Sequence, residues 1–296
     1  MSSTILIIIL TALCLFLFLK NKKKTIKTGE EPPCILSEKD KESDIRQEAE
    51  DDSPIEDENH KELITLLEGC RCRPLSPDLM QHELKEVWQK EYQRGRKEGF
   101  CPILLEMTDN LLDGLSTPSC LTEKEEFAKW RQQMLDNPVK DGKALLAERL
   151  EGERELFKEN DEDADWEEVM VGTSEGAEAS TAFDFYGYDV MLVEVPVKNP
   201  WQVFAYLPMG GWNECPDAEE QMAVAKYWFE KYGAVIAGIS SDTIVYVLPQ
   251  PVTKDTLKLA EEQFAYCPDI VDQGYGNLAT LADANKESTV WNFWWD

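Results

Sequence analysis

The chain of 296 residues is strongly acidic, with 58 Asp and Glu against 30 Lys and Arg and a formal net charge of −28. Five of the Lys residues lie within 1–29, so residues 30–296 carry a formal charge of −33, which repels nucleic-acid phosphates and anionic lipid headgroups and favours cations or a basic protein partner. Only two His residues are present, which excludes most familiar His-dependent catalytic and metal sites.

The N-terminal segment contains an apolar run over 4–19, followed by a basic cluster at 20–24. The run lacks the basic leading region and small-residue cleavage site of a secretory signal peptide, and Leu13 stands before Cys14 where a lipoprotein signal needs a small residue. It therefore predicts a transmembrane helix, with 1–27 as a membrane anchor and its basic flank. The positive-inside rule then predicts a single-pass protein of the cell membrane whose C-terminal part is cytoplasmic.

The next region, 28–60, is acidic and poor in large apolar side chains, which predicts a disordered tether. Residues 61–184 are predicted to form a segment of helices and a strand. Apolar residues at helical spacing predict a helix over 78–97, and an apolar run predicts a buried strand over 100–105. Charged helices are expected within 122–160, and the acid run 160–168 is expected to be a loop. The eight Cys residues are expected to be free thiols.

Residues 185–296 give the clearest pattern, an alternation of strands and helices. Strands are predicted over 188–197, 234–239 and 243–248, with a last strand that holds Trp291, Phe293 and Trp295 on one face. Helices are predicted over 217–232 and 253–265, the latter with Leu257 facing inward. This β-α-β-β-α-β order predicts an α+β fold, a ferredoxin-like four-stranded antiparallel sheet with helices on one face and residues 61–115 covering the other.

Several stretches resemble a bacterial family of uncharacterised domains that end in a Trp-x-Phe-Trp-Trp-Asp box. The box here is Trp-Asn-Phe-Trp-Trp-Asp at 291–296, and similar stretches occur at 228–238, 264–269 and 273–278, and more weakly at 98–105. The resemblance covers 78–115 and 185–296. It implies a bacterial source and supplies no catalytic residue, because the family has no established activity.

Candidate site residues cluster after the second of these helices. Asp269 and Asp272, together with Asp242 on the predicted hairpin, are the candidate catalytic carboxylates, since paired carboxylates perform general acid–base catalysis. A binding pocket there would use the neighbouring residues Cys267, Pro268, Asp269, Gln273, Gly274 and Tyr275. Alternatively, Asp269 caps a turn and the aromatic residues belong to the core. No cofactor and no metal site is expected.

Four other patterns are weaker. Gly-x-Gly-x-x-Ala at 274–279 lacks the preceding strand that a dinucleotide site needs, so a turn is expected. The acid run 161–165 lacks the Gly and Glu of a calcium loop. Cys70 and Cys72 are flanked by arginines that would lower a thiol pKa, which predicts either a reactive pair or incidental thiols. Tyr246 is a candidate for stacking on an RNA base, but the acidic charge of the chain opposes RNA binding.

The leading functional hypothesis is therefore a membrane-tethered, non-catalytic module that presents an acidic surface to a basic protein. The alternative is a small hydrolase or metal-dependent enzyme that uses the loop carboxylates, and a weaker one is a structural envelope protein. A concave carboxylate pocket would favour an enzyme, and a flat acidic face would favour binding.

Overall fold

Six strands form one mixed β-sheet in the computed structural model, which describes residues 63–115 and 124–296. Their spatial order is β1-β3-β2-β4-β5-β6, and β2 and β4 run parallel while every other neighbouring pair is antiparallel. The strands are β1 Arg71–Pro74, β2 Cys101–Glu106, β3 Val190–Val195, β4 Val235–Ile239, β5 Thr243–Val247 and β6 Val290–Trp294.

The described helices surround this sheet. They are α1 Gln81–Glu98, α2 Leu111–Gly114, α3 Lys124–Asp136, α4 Gly142–Asn160, α5 Ala218–Tyr232, α6 Thr256–Tyr266 and α7 Leu278–Asn285. A short 3-10 helix spans Pro200–Ala205, and π-helical turns span Glu167–Val171 and Ile270–Tyr275. Local chemistry sets some of these boundaries: Asp217 and Glu220 form a capping box at the start of α5, and Gly233 ends that helix at φ +71°.

The predicted four-stranded antiparallel, ferredoxin-like sheet is wrong. Strand β2 inserts between β3 and β4, pairing antiparallel with β3 and parallel with β4, where Leu104 lies opposite Gly238. Strand β1 extends the sheet beyond β3. Every residue of β2 is buried, and a strand buried on both faces is accommodated in the interior of a sheet rather than in a covering layer. Residues 71–106 thus supply two strands to the sheet in addition to helix α1.

Alternating side chains divide the core into two layers. On one face, Leu84 and Trp88 of α1 pack with Phe183 and Phe185 against the sheet. On the other face, α3 to α7 bury the larger cluster, which contains the inward side chains of β2 to β6. Within α6, Ala260 and Phe264 face this core, but Leu257 is 40% exposed, contrary to prediction.

The C-terminal box lies in the larger layer. Trp291, Phe293 and Trp295 are buried, which confirms their predicted common face. The ring of Phe293 lies 5.4 Å from that of Trp228 in a stacked arrangement and 4.8 Å from Tyr266 edge to face. These aromatic contacts join β6 to α5 and α6, so the end of the chain is part of the core.

Within residues 63–115 and 124–296, no helix is both long and apolar enough to cross a membrane. The span predicted at 4–19, the basic flank and the tether predicted over 28–60 lie outside the described residues. Five cysteines in the described ranges are free thiols: Cys70, Cys72, Cys101, Cys215 and Cys267.

Candidate functional site

Three strands end together at one edge of the sheet. Strands β2 and β4 are parallel, and β6 runs antiparallel to β5, so it shares their direction. Their carboxyl ends therefore place Glu106, the 240–242 hairpin loop and the last residues of the chain at the same edge. We call this the carboxyl edge. One predicted catalytic residue, Asp242, lies on the hairpin loop at this edge, and a second, Asp269, accepts a hydrogen bond from the last residue of the chain.

Glu106 is the most deeply buried carboxylate at this edge, with no exposed surface. One oxygen accepts hydrogen bonds from the backbone N–H groups of Gly187, at 2.8 Å, and Tyr188, at 3.2 Å. The other accepts from the Ser240 hydroxyl at 2.9 Å. Burial raises the pKa of Glu106, and these hydrogen bonds oppose the rise. The carboxyl group therefore ties the 187–188 turn to the end of β4.

Asp242 lies on the hairpin, as predicted, and its carboxylate is held by neighbouring hydroxyls. The Tyr186 hydroxyl donates to it at 2.8 Å and the Thr243 hydroxyl at 2.9 Å. Partial burial, and then the hydrogen bond to Asp242, raises the pKa of Tyr186 to about 12. A cavity of about 220 Å³ opens here, between Tyr186, Thr243, Asn292 and Trp294. Its small size suits a water cluster or a small ion better than an organic substrate.

Asp269 binds the end of the chain. Its two oxygens accept hydrogen bonds from the Gln273 side chain at 2.9 Å and from the backbone N–H of Asp296 at 3.1 Å. The preceding Trp295 N–H donates to the Asp242 carbonyl at 3.2 Å. The last two residues thus bridge Asp242 and Asp269, an arrangement that orders the terminus, whereas the Asp269 side chain makes no capping hydrogen bond to the π-helical turn that follows it.

Asp272 faces a different environment. Burial, followed by repulsion from Asp269, raises the pKa of Asp272. Asp272 in turn contributes to the raised pKa of Glu153 on α4, which is caused chiefly by burial. The two predicted catalytic aspartates are therefore close enough to interact electrostatically, but they share no hydrogen bond in the described part of the chain.

The remaining predicted binding residues do not form one pocket. The Cys267 thiol donates to the Trp294 carbonyl at 2.9 Å, and burial raises the pKa of Cys267 to about 12. Pro268 is buried and its carbonyl accepts from the π-helical turn. Gly274 and Tyr275 line a separate cavity of about 320 Å³ beside β6, together with Gln263, Asn285, Trp291 and Trp294.

Little nucleophilic or metal-binding chemistry is available in residues 63–115 and 124–296. No group of three or more His, Cys, Asp and Glu side chains there could hold a metal ion. Burial raises the pKa of Cys70 to about 12 and also raises that of Cys72, contrary to the lowering expected from the flanking arginines.

Two further patterns have structural explanations. Gly276 ends a π-helical turn at φ +76° and Asn277 caps α7, so a π-helical turn precedes these residues in place of the strand that a dinucleotide site needs. Tyr246 is fully buried between Trp228, Tyr266 and Phe293, so it offers no face for stacking a base.

A second candidate site lies on the outside of α4 and the loops that follow it. We define the acidic surface as residues 148–178. It exposes twelve carboxylates and a single exposed basic residue, Lys158. Leu156 and Val169 within it are 53% and 52% exposed. The exposed acids are Glu148, Glu151, Glu155, Glu159, Asp161, Glu162, Asp163, Asp165, Glu167, Glu168, Glu175 and Glu178.

Sequence reasoning missed Glu106 and Tyr186. Glu106 ends the otherwise uncharged stretch Cys-Pro-Ile-Leu-Leu-Glu, and a charged residue that terminates a buried strand is a signal for a polar group at the sheet edge. Tyr186 carries no such signal, because its contact with Asp242 joins residues 56 positions apart.

Comparison with protein families identifies the C-terminal part of the chain. A family model described as Domain of unknown function (DUF4253) matches residues 191–296, from β3 to the last residue. No curated protein and no solved structure matches the chain. A domain of unknown function, as the sequence resemblance implied, is therefore present.

Proposed function

We propose that this chain is a non-catalytic protein-binding module whose acidic surface receives a basic protein. The observation that supports this proposal is the excess of exposed carboxylates over exposed basic groups along residues 148–178. Opposite charges across an interface accelerate encounter and select the partner, while exposed apolar side chains such as Leu156 and Val169 supply contact area.

The carboxyl edge supports the alternative, a small hydrolase, less well. Both oxygens of Asp269 already accept hydrogen bonds from within the chain. Glu106, whose pKa is raised, is fully buried and is held by three hydrogen bonds. A general base must reach the proton that it removes, but Glu106 has no exposed surface and both oxygens of Asp269 are already engaged within the chain.

The double variant Asp269→Asn and Asp272→Asn tests whether the candidate catalytic carboxylates contribute to binding. We would titrate the full chain with a fluorescein-labelled dodecapeptide of Lys-Lys-Leu repeats and follow its anisotropy. The binding proposal predicts that the variant binds this peptide within about twofold of the wild type, because two charges among many are removed. A tenfold or greater loss in the variant would refute the acidic-surface proposal.

The proposal also includes two features that the resemblance implies, the terminal Trp-x-Phe-Trp-Trp-Asp box and a bacterial source. We infer that the box is a defining feature of the matched domain, since its aromatic residues pack in the core rather than at a surface. Mass-spectrometric identification of partners captured by the tagged full chain from a bacterial lysate would name the basic protein. Recovery of acidic proteins alone would contradict the proposal.

A further inference from the structure

A second face of the molecule has the opposite charge. Beside α1, a groove of about 1180 Å³ runs between the C-terminal half of that helix and the loop after β3. Four basic side chains line it: Lys90, Arg96, Lys97 and Lys198. We call this cavity the basic groove.

The four basic residues have no acidic partner within the described structure. All are exposed, and none forms an ion pair with any residue in 63–115 or 124–296. Elsewhere on the same helix, Arg94 binds Glu91 at 2.8 Å and Glu98 at 2.7 Å, so acidic partners are nearby in sequence but are already paired. The groove is also lined by two acids, Glu86 and Glu98, of which Glu98 is paired with Arg94, so the four basic side chains leave an excess of positive charge.

Helix chemistry explains only part of this pattern. Arg96 and Lys97 lie in the last turn of α1, where the helix dipole favours cations. Lys90 lies about two turns earlier, and Lys198 lies on the loop after β3, so the dipole accounts for neither. Four unpaired cations from two separate segments thus converge on one cavity of a chain whose formal charge is −28.

Apolar side chains form the floor of the groove and part of its wall. Tyr92 is half-buried and stacks on Trp88 with ring centroids 4.9 Å apart. Phe229 is also half-buried, and Val235 and Val247 of the sheet line the floor, because α1 covers its face of the sheet only in part. An apolar floor with a basic rim accommodates a chain that carries both acidic and apolar side chains.

We propose that the basic groove binds an acidic peptide segment of a partner protein, with carboxylates at the four basic residues and apolar side chains against Tyr92 and Phe229. The occupant follows from charge complementarity, since unpaired cations favour carboxylates. This site is separate from the acidic surface, and its partner has the opposite charge.

The test uses the full chain and a fluorescein-labelled dodecapeptide of Glu-Glu-Leu repeats, with binding measured by anisotropy at physiological ionic strength. The groove variant replaces Lys90, Arg96, Lys97 and Lys198 by Gln. The control variant makes the same change in net charge at exposed, unpaired lysines outside the groove: Lys129, Lys143, Lys254 and Lys258. We expect the groove variant to bind at least about tenfold more weakly and the control to remain within about twofold of the wild type.

Two further measurements distinguish the contributions of charge and packing. A Gln-Gln-Leu peptide is expected to bind about tenfold more weakly than the Glu-Glu-Leu peptide, and Tyr92→Ser is expected to weaken binding with every charge retained. Equal losses in the groove and control variants would overturn the proposal, as would undiminished binding by the groove variant. A further result would overturn the proposal: no binding of the acidic peptide, together with self-association in sedimentation that the groove variant lacks. The occupant of the groove would then be a second copy of the chain.

Discussion

The aromatic core around the C-terminal strand makes Phe293→Ala the most informative stability variant. Phe293 is fully buried and its ring contacts those of Trp228, Tyr246 and Tyr266, at centroid distances of 5.4, 6.0 and 4.8 Å. Truncating a buried Phe to Ala costs about 3–5 kcal/mol, and the ring contacts place this site toward the upper end of that range. Because a domain is typically stable by only about 5–15 kcal/mol, the loss is a large fraction of the total.

Urea unfolding, followed by the fluorescence of the buried tryptophans, measures this loss. With a slope of about 3 kcal/mol/M, a loss of about 4 kcal/mol lowers the midpoint by roughly 1.3 M. The control is Tyr188→Ala, which removes an aromatic ring that is 47% exposed and is expected to change the free energy of unfolding by less than about 1 kcal/mol. A midpoint for Phe293→Ala within experimental error of the Tyr188→Ala midpoint would refute the aromatic-core reasoning.

Three other predictions concern burial and close approach. Since burial raises the pKa of Glu106, its contribution to stability is present below the ordinary Glu value of about 4.5 and is lost as pH rises above that value. Unfolding free energies measured from about pH 4 to about pH 8 should therefore decline less in Glu106→Gln than in the wild type; an identical pH dependence would contradict it. Gly114→Ala should unfold at a markedly lower temperature, because the added Cβ would lie 1.4 Å from the Ser241 carbonyl oxygen. The control Gly152→Ala meets no atom within 4 Å and should stabilise α4 by about 0.5–1 kcal/mol. Equal melting temperatures of the two variants would argue against the close packing of α2 on the hairpin. The Cys267 thiol, with its pKa raised to about 12, should resist iodoacetamide at pH 8 in the native chain and react once urea unfolds it, as peptide mass spectrometry would show; rapid native alkylation would contradict its burial.

Local elements were predictable where short-range chemistry decides them. The predicted helix over 217–232 is observed at Ala218–Tyr232, because Asp217, Glu220 and Gly233 mark its ends through hydrogen bonds and backbone conformation that are local in sequence. The terminal strand was predictable for a different reason, since alternating Trp291, Phe293 and Trp295 require a buried face.

Strand pairing was not predictable in the same way. The position of β2 between β3 and β4 depends on parallel contacts such as Leu104 with Gly238, which lie far apart in sequence. Strand β1 is exposed throughout and has no apolar alternation, so no local pattern indicated it. The π-helical turn Ile270–Tyr275 and helix α7 were also missed, because glycines at 274 and 276 suggested a simple loop.

The candidate site shows the same division. Asp242 and Asp269 were identified because they lie on loops at strand and helix ends. Their actual partners, the Tyr186 hydroxyl and the Asp296 backbone, come from distant parts of the chain and reveal a structural role for Asp269 that spacing alone did not distinguish from catalysis. Glu106 was overlooked because the strand was predicted to stop at residue 105, although a charged residue that terminates a buried strand signals a polar group at the sheet edge.

The salt dependence of binding by the acidic surface tests the central claim most directly. The full chain would be titrated with the Lys-Lys-Leu dodecapeptide from low salt to physiological ionic strength, where exposed charges are screened over about 8 Å. One variant carries Gln at four exposed acids of the acidic surface, Glu151, Glu155, Glu159 and Glu162, and its control carries Gln at exposed acids elsewhere, Glu86, Glu125, Glu126 and Glu287. We predict that the affinity of the wild type falls about tenfold or more with salt and that only the acidic-surface variant loses most of this dependence. A salt-insensitive complex, or equal effects of the two variants, would contradict the account.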